Sequence, residues 1–171
     1  MKNFVIPILV LTLICLVITG ALAVMNHFTA PVIEAAALIR ADNTMIEMIP
    51  EATGFIPLDI SGLPEEISGV YATENNVGYI FIISVHGFSG DITVMCAIAP
   101  DGSIITSNTF AHTETQGIGT ILDEEGFVGQ FDGKTLSTYG DVATVSGATI
   151  STLAYIRAIR AALEAGELII N

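Results

Sequence analysis

An uncharged stretch near the amino terminus constrains this chain more than any other feature of its sequence. The 21 residues from Val5 to Met25 contain no charged side chain, and as an α-helix they would span about 30 Å at 1.5 Å per residue. That length matches the hydrocarbon core of a bilayer, so the run predicts a transmembrane helix. Lys2 precedes the run and the next basic residue is Arg40, which favours a cytoplasmic amino terminus. We therefore expect a single-pass protein of the cell membrane whose main domain is extracytoplasmic.

A cleaved signal peptide is the alternative interpretation of the same run. Ala21-Leu22-Ala23 has the small-x-small form that signal peptidase recognises. The apolar run continues through Val24 and Met25, and it is long for the apolar region of a signal peptide. The sequence favours a retained anchor but leaves cleavage open.

The charge of the chain limits its partners. The 171 residues include 18 acidic and 5 basic side chains, a net charge of -13, and every acidic residue lies at or beyond Glu34. Such a surface would be repelled by a polyanion rather than attracted to it. Nucleic acid is therefore not expected as a partner.

Cysteine and histidine usage indicates neither a disulfide framework nor a metal site. Cys15 lies in the apolar run and Cys96 in a predicted strand, so the two occupy different environments. The histidines form no CxxC, HxxxH or HExxH pattern with their neighbours. They are scattered at His27, His86 and His112.

Periodicity after the apolar run predicts an α+β fold. Helical spacing begins at Pro31 and ends near Met48, and glycines and prolines then indicate an irregular connector over 51–68. Segments rich in β-branched and aromatic residues follow, separated by turns so short that neighbouring strands should pair antiparallel. The predicted strands are 69–73, 79–85, 92–99 and 103–110.

The last third of the chain predicts a glycine-rich loop over 112–132 and a helix over 149–164. The expected architecture is an amino-terminal transmembrane helix followed by one domain with an antiparallel sheet and packed helices. The corresponding division is an anchor over 1–26, a helix and connector over 27–68, and the main domain over 69–171.

Small and hydroxyl residues crowd the start of the last helix. Gly147 permits a close approach of the backbone to a ligand, and Ala148 keeps the next position small. Unpaired N–H groups and the positive end of the dipole at a helix start favour a phosphate. An ordinary helix cap would show the same pattern, so spacing alone leaves both interpretations open.

The segment Ser146-Gly147-Ala148-Thr149-Ile150-Ser151 resembles the flavinylation motif Ser/Thr-Gly-Ala-Thr-x-Ser/Thr of the Rnf G subunit, the Nqr C subunit and related FMN-binding domains. The resemblance implies that FMN is joined through a phosphoester to Thr149 and is installed from FAD by a flavin transferase. It also implies that nearby residues bind the cofactor. These are Ser146, Gly147, Ala148 and Ser151.

A second segment, His112 to Gly119, resembles the His-x-Glu-Thr-Pro-Gly-Leu-Gly loop of the same family. The resemblance implies that Glu114 fixes this loop and that the loop forms one wall around the isoalloxazine ring. No catalytic role is expected for His112. The implied wall residues are Thr115, Gly117, Ile118 and Gly119.

Two positions depart from the family pattern. Gln116 stands where the family usually has proline. Ala143 stands where an acidic residue commonly lies six positions before the acceptor, and Asp141 lies two residues further back. Few basic residues lie near the motif, so backbone amides would have to neutralise the phosphate.

The resemblance implies a membrane-anchored electron-transfer subunit of an ion-translocating ferredoxin:NAD oxidoreductase, with the other membrane subunits of an Rnf-type complex as partners. Such a subunit is not catalytically complete alone, and neither the coupling ion nor the direct electron donor follows from the sequence. Two alternatives stay open. One is a stand-alone extracytoplasmic FMN-binding protein of another reductase chain, and the other is an anchored interaction module without a cofactor.

Overall fold

The computed structural model describes residues 2–115 and 119–170. The chain divides into two compact units, the first ending at Asp42 and the second beginning at Asn43. Helix α1 runs over Lys2–Met48 with Pro7 and Pro31 inside it. The helix predicted from Pro31 to Met48 is therefore continuous with the apolar run before it. A proline removes its own N–H from the helical ladder and its ring crowds the carbonyl four residues earlier, yet α1 continues through both prolines.

The apolar character of α1 distinguishes the first unit. Within the described residues, one helix is long and apolar enough to cross a membrane, and that stretch covers Val5–Met48. In the first unit, the large apolar side chains of the described residues are exposed all round the helix, including Leu9, Leu16 and Phe28. A helix that is apolar on every side is stable only where something other than water covers it.

The second unit is built on an antiparallel meander, as the sequence predicted. In the described part of the chain, five strands form one sheet in sequential order, each antiparallel to the next. Connections of four or five residues between successive strands from β2 to β5 enforce this pairing. The strands are β1 (Phe55–Pro57), β2 (Ile67–Thr73), β3 (Tyr79–His86), β4 (Asp91–Ile98) and β5 (Ile104–His112).

Strand β1 corrects the predicted connector over 51–68. Phe55 pairs with Thr73 and Pro57 with Tyr71, so this segment adds an edge strand to the sheet. Three residues are too few to give a periodic signal, and proline is tolerated at a sheet edge because its missing N–H faces outward. Strand β2 also begins at Ile67, inside the same predicted connector.

Helix α3, Thr149–Ile170, covers one face of the sheet and extends six residues beyond its predicted end at 164. Five of the eleven buried residues of this helix are alanine, and these small side chains let the helix lie close to β3 and β4. An added Cβ at Gly166 would meet Ile98 Cδ1 at 3.4 Å, which shows how near the backbone comes to the strands. The sheet side of this core is formed by alternate strand residues, including Phe81, Ile83, Cys96 and Ile98.

The segment 112–132 was predicted to be a glycine-rich loop, but part of it is folded against the edge of β5. It contains a 3₁₀ turn at Gly119–Asp123 and the short helix α2, Glu125–Val128. The Thr109 hydroxyl donates to the Leu122 carbonyl at 2.8 Å, and the amide of Ile104 donates to the Lys134 carbonyl at 2.8 Å. These contacts give hydrogen-bond partners to polar groups at the edge of β5. Phe127 and Phe131 of the same segment pack against Tyr155 in the core.

Candidate functional site

The turn before α3 presents Thr149 at the surface. Gly147 has a φ of +89°, a conformation that glycine adopts without strain. The Ala148 amide bonds the Val145 carbonyl at 3.1 Å, and the Ala148 carbonyl accepts the first helical bond from Thr152 at 2.9 Å. Thr149 is therefore the first residue of α3, with an exposed side chain.

The four hydroxyl residues at this helix start fall into two groups. Ser146 and Thr149 are exposed, whereas Ser151 and Thr152 are buried. The Thr152 hydroxyl donates to the Ala148 carbonyl at 3.0 Å, which holds the turn against the helix. The surface hydroxyls can meet a ligand, and the buried ones stabilise the fold around them.

An open groove lies beside Thr149. Its volume is about 270 Å³, and its lining is mostly apolar. Phe88 in the turn between β3 and β4 forms one side and is 60% exposed, and Ile150 on α3 is 53% exposed. Two large apolar side chains left in solvent at a concave surface are typical of a binding site. The remaining lining residues are Gly147, Ala148, Thr149 and Ser151.

Glu114 is buried, 7% exposed, and bonds two residues that line the groove. Its Oε1 accepts the backbone amides of Phe88 at 2.8 Å and Ser89 at 3.0 Å. Its Oε2 accepts the hydroxyl of Ser151 at 2.5 Å. The carboxylate therefore connects the end of β5, the turn between β3 and β4, and the first turn of α3.

The ionised form of Glu114 is favoured despite its burial. Burial by itself raises the pKa of this carboxyl, but the Ser151 hydroxyl and the backbone amides of the Ser89 turn lower it, and the net pKa lies below the ordinary value. Hydrogen bonds to the charged form outweigh desolvation here because all of the donors converge on one carboxylate. The site thus contains a fixed negative charge.

His112 supports the backbone of this loop. Its Nδ1 accepts the amide of Glu114 at 3.2 Å, so Nε2 carries the proton and donates to Asp123 Oδ2 at 3.2 Å. Both ring nitrogens are used in orienting the chain.

The described residues among those predicted to form the wall around the flavin ring lie at or near the Glu114 loop. The Thr115 hydroxyl is 3.1 Å from the Ser89 hydroxyl, and Thr115 is exposed. Gly119 is buried, and an added Cβ there would collide with the side chain of Glu114. Gly117 and Ile118 lie outside the described residues.

Sequence reasoning did not identify Phe88 and Ile150 as parts of the site. Phe88 was one residue of a predicted turn, and Ile150 was one of the periodic residues of the helix. An aromatic residue in a short polar turn is a weak sequence signal of a ligand-binding residue, and it could have pointed to Phe88. In the described residues, no group of three or more metal-ligating side chains gathers here or elsewhere.

Comparison with known proteins matches this region directly. Residues 87–164 match the family model of the FMN-binding domain, a range that begins at the Phe88 turn and ends on α3. The G subunit of the ion-translocating oxidoreductase complex from Methanosarcina acetivorans is 33% identical over 134 residues, covering 70% of this chain and 71% of that protein. The chain belongs to the family of these G subunits.

Other members of this family align over more of the chain at lower identity. The G subunit of the proton-translocating ferredoxin:NAD(+) oxidoreductase complex of Clostridium ljungdahlii is 24% identical, covering 90% of this chain and 86% of that protein. The G subunit of the ion-translocating oxidoreductase complex of Shewanella baltica is 28% identical, covering 90% of this chain and 84% of its own length. The two alignments leave about a tenth of this chain uncovered, which is less than the length of α1, so the family resemblance includes part of α1. The antiparallel sheet and packed helices of the FMN-binding domain are as the sequence predicted.

Proposed function

We propose that this chain is the electron-transfer subunit of an ion-translocating ferredoxin:NAD oxidoreductase complex and carries FMN covalently on Thr149. The observation that supports it most is the exposed Thr149 hydroxyl beside an apolar groove, inside the range that matches the FMN-binding domain. The names of its relatives support the complex, since each is the G subunit of such an assembly.

The residues of the groove fit this cofactor. The N–H groups of the first turn of α3 have no partner within the helix and suit a phosphate. Phe88 and Ile150 offer an apolar surface to a flat ring, and Gly147 leaves open space beside the acceptor. When bound, the flavin supplies the redox chemistry by accepting and releasing electrons. The chain supplies attachment, orientation and the electrostatic surroundings.

The attachment step requires a nucleophile, a donor and a leaving group. The Thr149 oxygen attacks the phosphorus of FAD that carries the riboflavin part, forming the phosphoester as the bond to the AMP part breaks. AMP leaves, and the hydroxyl proton passes to a base of the flavin transferase. An exposed first-turn hydroxyl is accessible to such an enzyme, whereas the buried Ser151 and Thr152 are not.

The anchor and its orientation belong to the same proposal. Helix α1 is long and apolar enough to cross a bilayer, and the scarcity of basic residues after it favours an extracytoplasmic domain. A covalent tether suits that location, because a cofactor that dissociated outside the membrane would be lost. A carboxy-terminal alkaline phosphatase fusion should be active in cells, and a fluorescent protein fusion at the same place should stay dark.

Flavin attachment is tested by producing the full chain together with a flavin transferase and imaging a denaturing gel for flavin fluorescence. The unaltered chain should give a fluorescent band, and Thr149→Ala should give none. Thr144→Ala is the matched control, because Thr144 is an exposed threonine outside the groove. A dark band from the unaltered chain would favour the anchored interaction module without a cofactor. Equal fluorescence from Thr149→Ala would show that the flavin is attached to another residue.

A further inference from the structure

The two sides of the groove come from segments distant in sequence, and one carboxylate joins them. Phe88 lies in the turn between β3 and β4, and Thr149 begins α3. Glu114 bonds the Phe88 amide through Oε1 and the Ser151 hydroxyl through Oε2. The separation of the two sides is therefore determined by the width of this carboxylate and its hydrogen bonds.

The surroundings of Glu114 leave room for this side chain and little else. An added Cβ at Gly87 would collide with Glu114 Oε1, and one at Gly119 would collide with Glu114 Cβ. Glycine at both positions lets the loop and the turn close around the carboxylate. Close packing together with three hydrogen bonds restricts its motion.

The charge of Glu114 is solvated by dipoles rather than cancelled by a cation. Its described partners are two amides and a hydroxyl, and the ion pairs within the described residues involve other acids. A buried charge is screened less than a surface charge, so its field extends into the neighbouring groove. Adding electrons to a group in that groove would bring negative charge toward a fixed anion.

We propose that Glu114 is a positioning residue that fixes the two sides of the groove around the flavin and lowers the flavin's reduction potential through its negative charge. This inference rests on the proposed attachment of FMN to Thr149. Positioning and charge are separable, because one depends on the hydrogen bonds of Glu114 and the other on its ionisation.

Two variants of the full chain, each produced with a flavin transferase, test the two parts. Glu114→Gln removes the charge but keeps one oxygen to accept the Phe88 amide and an amide group that can donate to Ser151. Its flavin potential, measured by spectroelectrochemistry, should move to a more positive value. Glu124→Gln removes an equal charge from an exposed position and should leave the potential unchanged.

Ser151→Ala keeps the charge of Glu114 but removes the bond between the carboxylate and α3. The attached flavin should gain mobility, measured as lower fluorescence anisotropy and a weaker visible circular dichroism signal than in the unaltered chain. Glu114→Gln should retain both signals.

The outcomes distinguish this inference from the proposed function. A potential shift in Glu114→Gln no larger than in Glu124→Gln would overturn the electrostatic part, and unchanged anisotropy in Ser151→Ala would overturn the positioning part. If Glu114→Gln fails to accumulate, the Ser151→Ala measurement still decides whether the carboxylate positions the groove. An unaltered chain that carries no flavin at all would instead overturn the proposed function, and this inference with it.

Discussion

The Ser151 hydroxyl donates a hydrogen bond of 2.5 Å to Glu114 Oε2, joining residues 37 positions apart. Ser151 is 1% exposed, so its hydroxyl points into the fold rather than toward the groove surface. The two motifs in the sequence thus meet at one contact. The contribution of these two residues to the stability of the fold can be measured separately from their effect on the bound flavin.

The pH dependence of stability should reflect Glu114. Burial raises the pKa of Glu114, but the hydrogen bonds, led by the one from Ser151, lower it by more than burial raises it. The folded pKa therefore lies below the unfolded one. The stabilisation is therefore complete above the ordinary glutamic acid pKa of about 4.3 and is lost as the pH falls through the folded pKa. We expect the difference in unfolding free energy between the unaltered chain and Glu114→Gln to shrink on acidification below that value.

Urea unfolding of the full chain in detergent, followed by circular dichroism at several pH values, measures this difference. A difference that grew toward acid pH would contradict the assignment of a depressed pKa.

Gly147→Ala should destabilise the chain. The φ of +89° at Gly147 is unfavourable for a residue with a Cβ, by about 1–2 kcal/mol. Space is not the cause, because an added Cβ would have no atom within 4 Å. Gly129→Ala is the control, since Gly129 has a φ of -65° and alanine there should be neutral or stabilising by about 0.4–1 kcal/mol. Equal urea midpoints for the two variants would show that the turn does not depend on the left-handed conformation.

Gly119→Ala should disturb the site through Glu114. The added Cβ would collide with the Glu114 side chain and lie 3.2 Å from its Cα, a backbone atom that cannot move without shifting the loop. Overpacking of this kind costs about 1–3 kcal/mol. We expect a lower urea midpoint together with reduced anisotropy of the FMN that we propose on Thr149.

Gly126→Ala supplies the comparison for that variant. Gly126 lies in α2 with no atom within 4 Å of an added Cβ, so alanine should be accepted there. If both variants retained the same anisotropy as the unaltered chain, the close approach of Gly119 to Glu114 would have no role in the site.

Two phenylalanines should separate folding from binding. Phe131 is fully buried, with its ring centroid 5.6 Å from that of Phe127 and 5.3 Å from that of Tyr155. Phe131→Ala should cost about 3–5 kcal/mol in the free energy of unfolding. Phe88 is 60% exposed, so Phe88→Ala should change stability by no more than about 0.5 kcal/mol.

The visible circular dichroism of the flavin should show the opposite order, with a larger effect from Phe88→Ala than from Phe131→Ala. Phe88→Ala removes one side of the groove, so the visible circular dichroism of the FMN that we propose on Thr149 should weaken while the urea midpoint stays unchanged. A Phe88→Ala protein with an unaltered flavin spectrum would exclude Phe88 as a contact of the cofactor.

Local patterns in the sequence predicted most of the elements. The four longer strands, their antiparallel order and the helix after Thr149 follow from periodicity and short turns, which depend on neighbouring residues. Strand β1 and the folded segment covering β5 were missed, because three residues or a single 3₁₀ turn carry no periodic signal. Their conformation depends on partners elsewhere in the chain.

Some features of the candidate site also follow from local sequence, whereas others depend on the tertiary structure. The sequence by itself determined the apolar helix, the glycine turn and the threonine at a helix start, because each depends on a few adjacent residues. Only the tertiary structure decided that Ser151 faces Glu114 and that Phe88 lies across a groove from Thr149. Those relations are hydrogen bonds and packing between segments brought together when α3 closes over the sheet, and no local pattern encodes them.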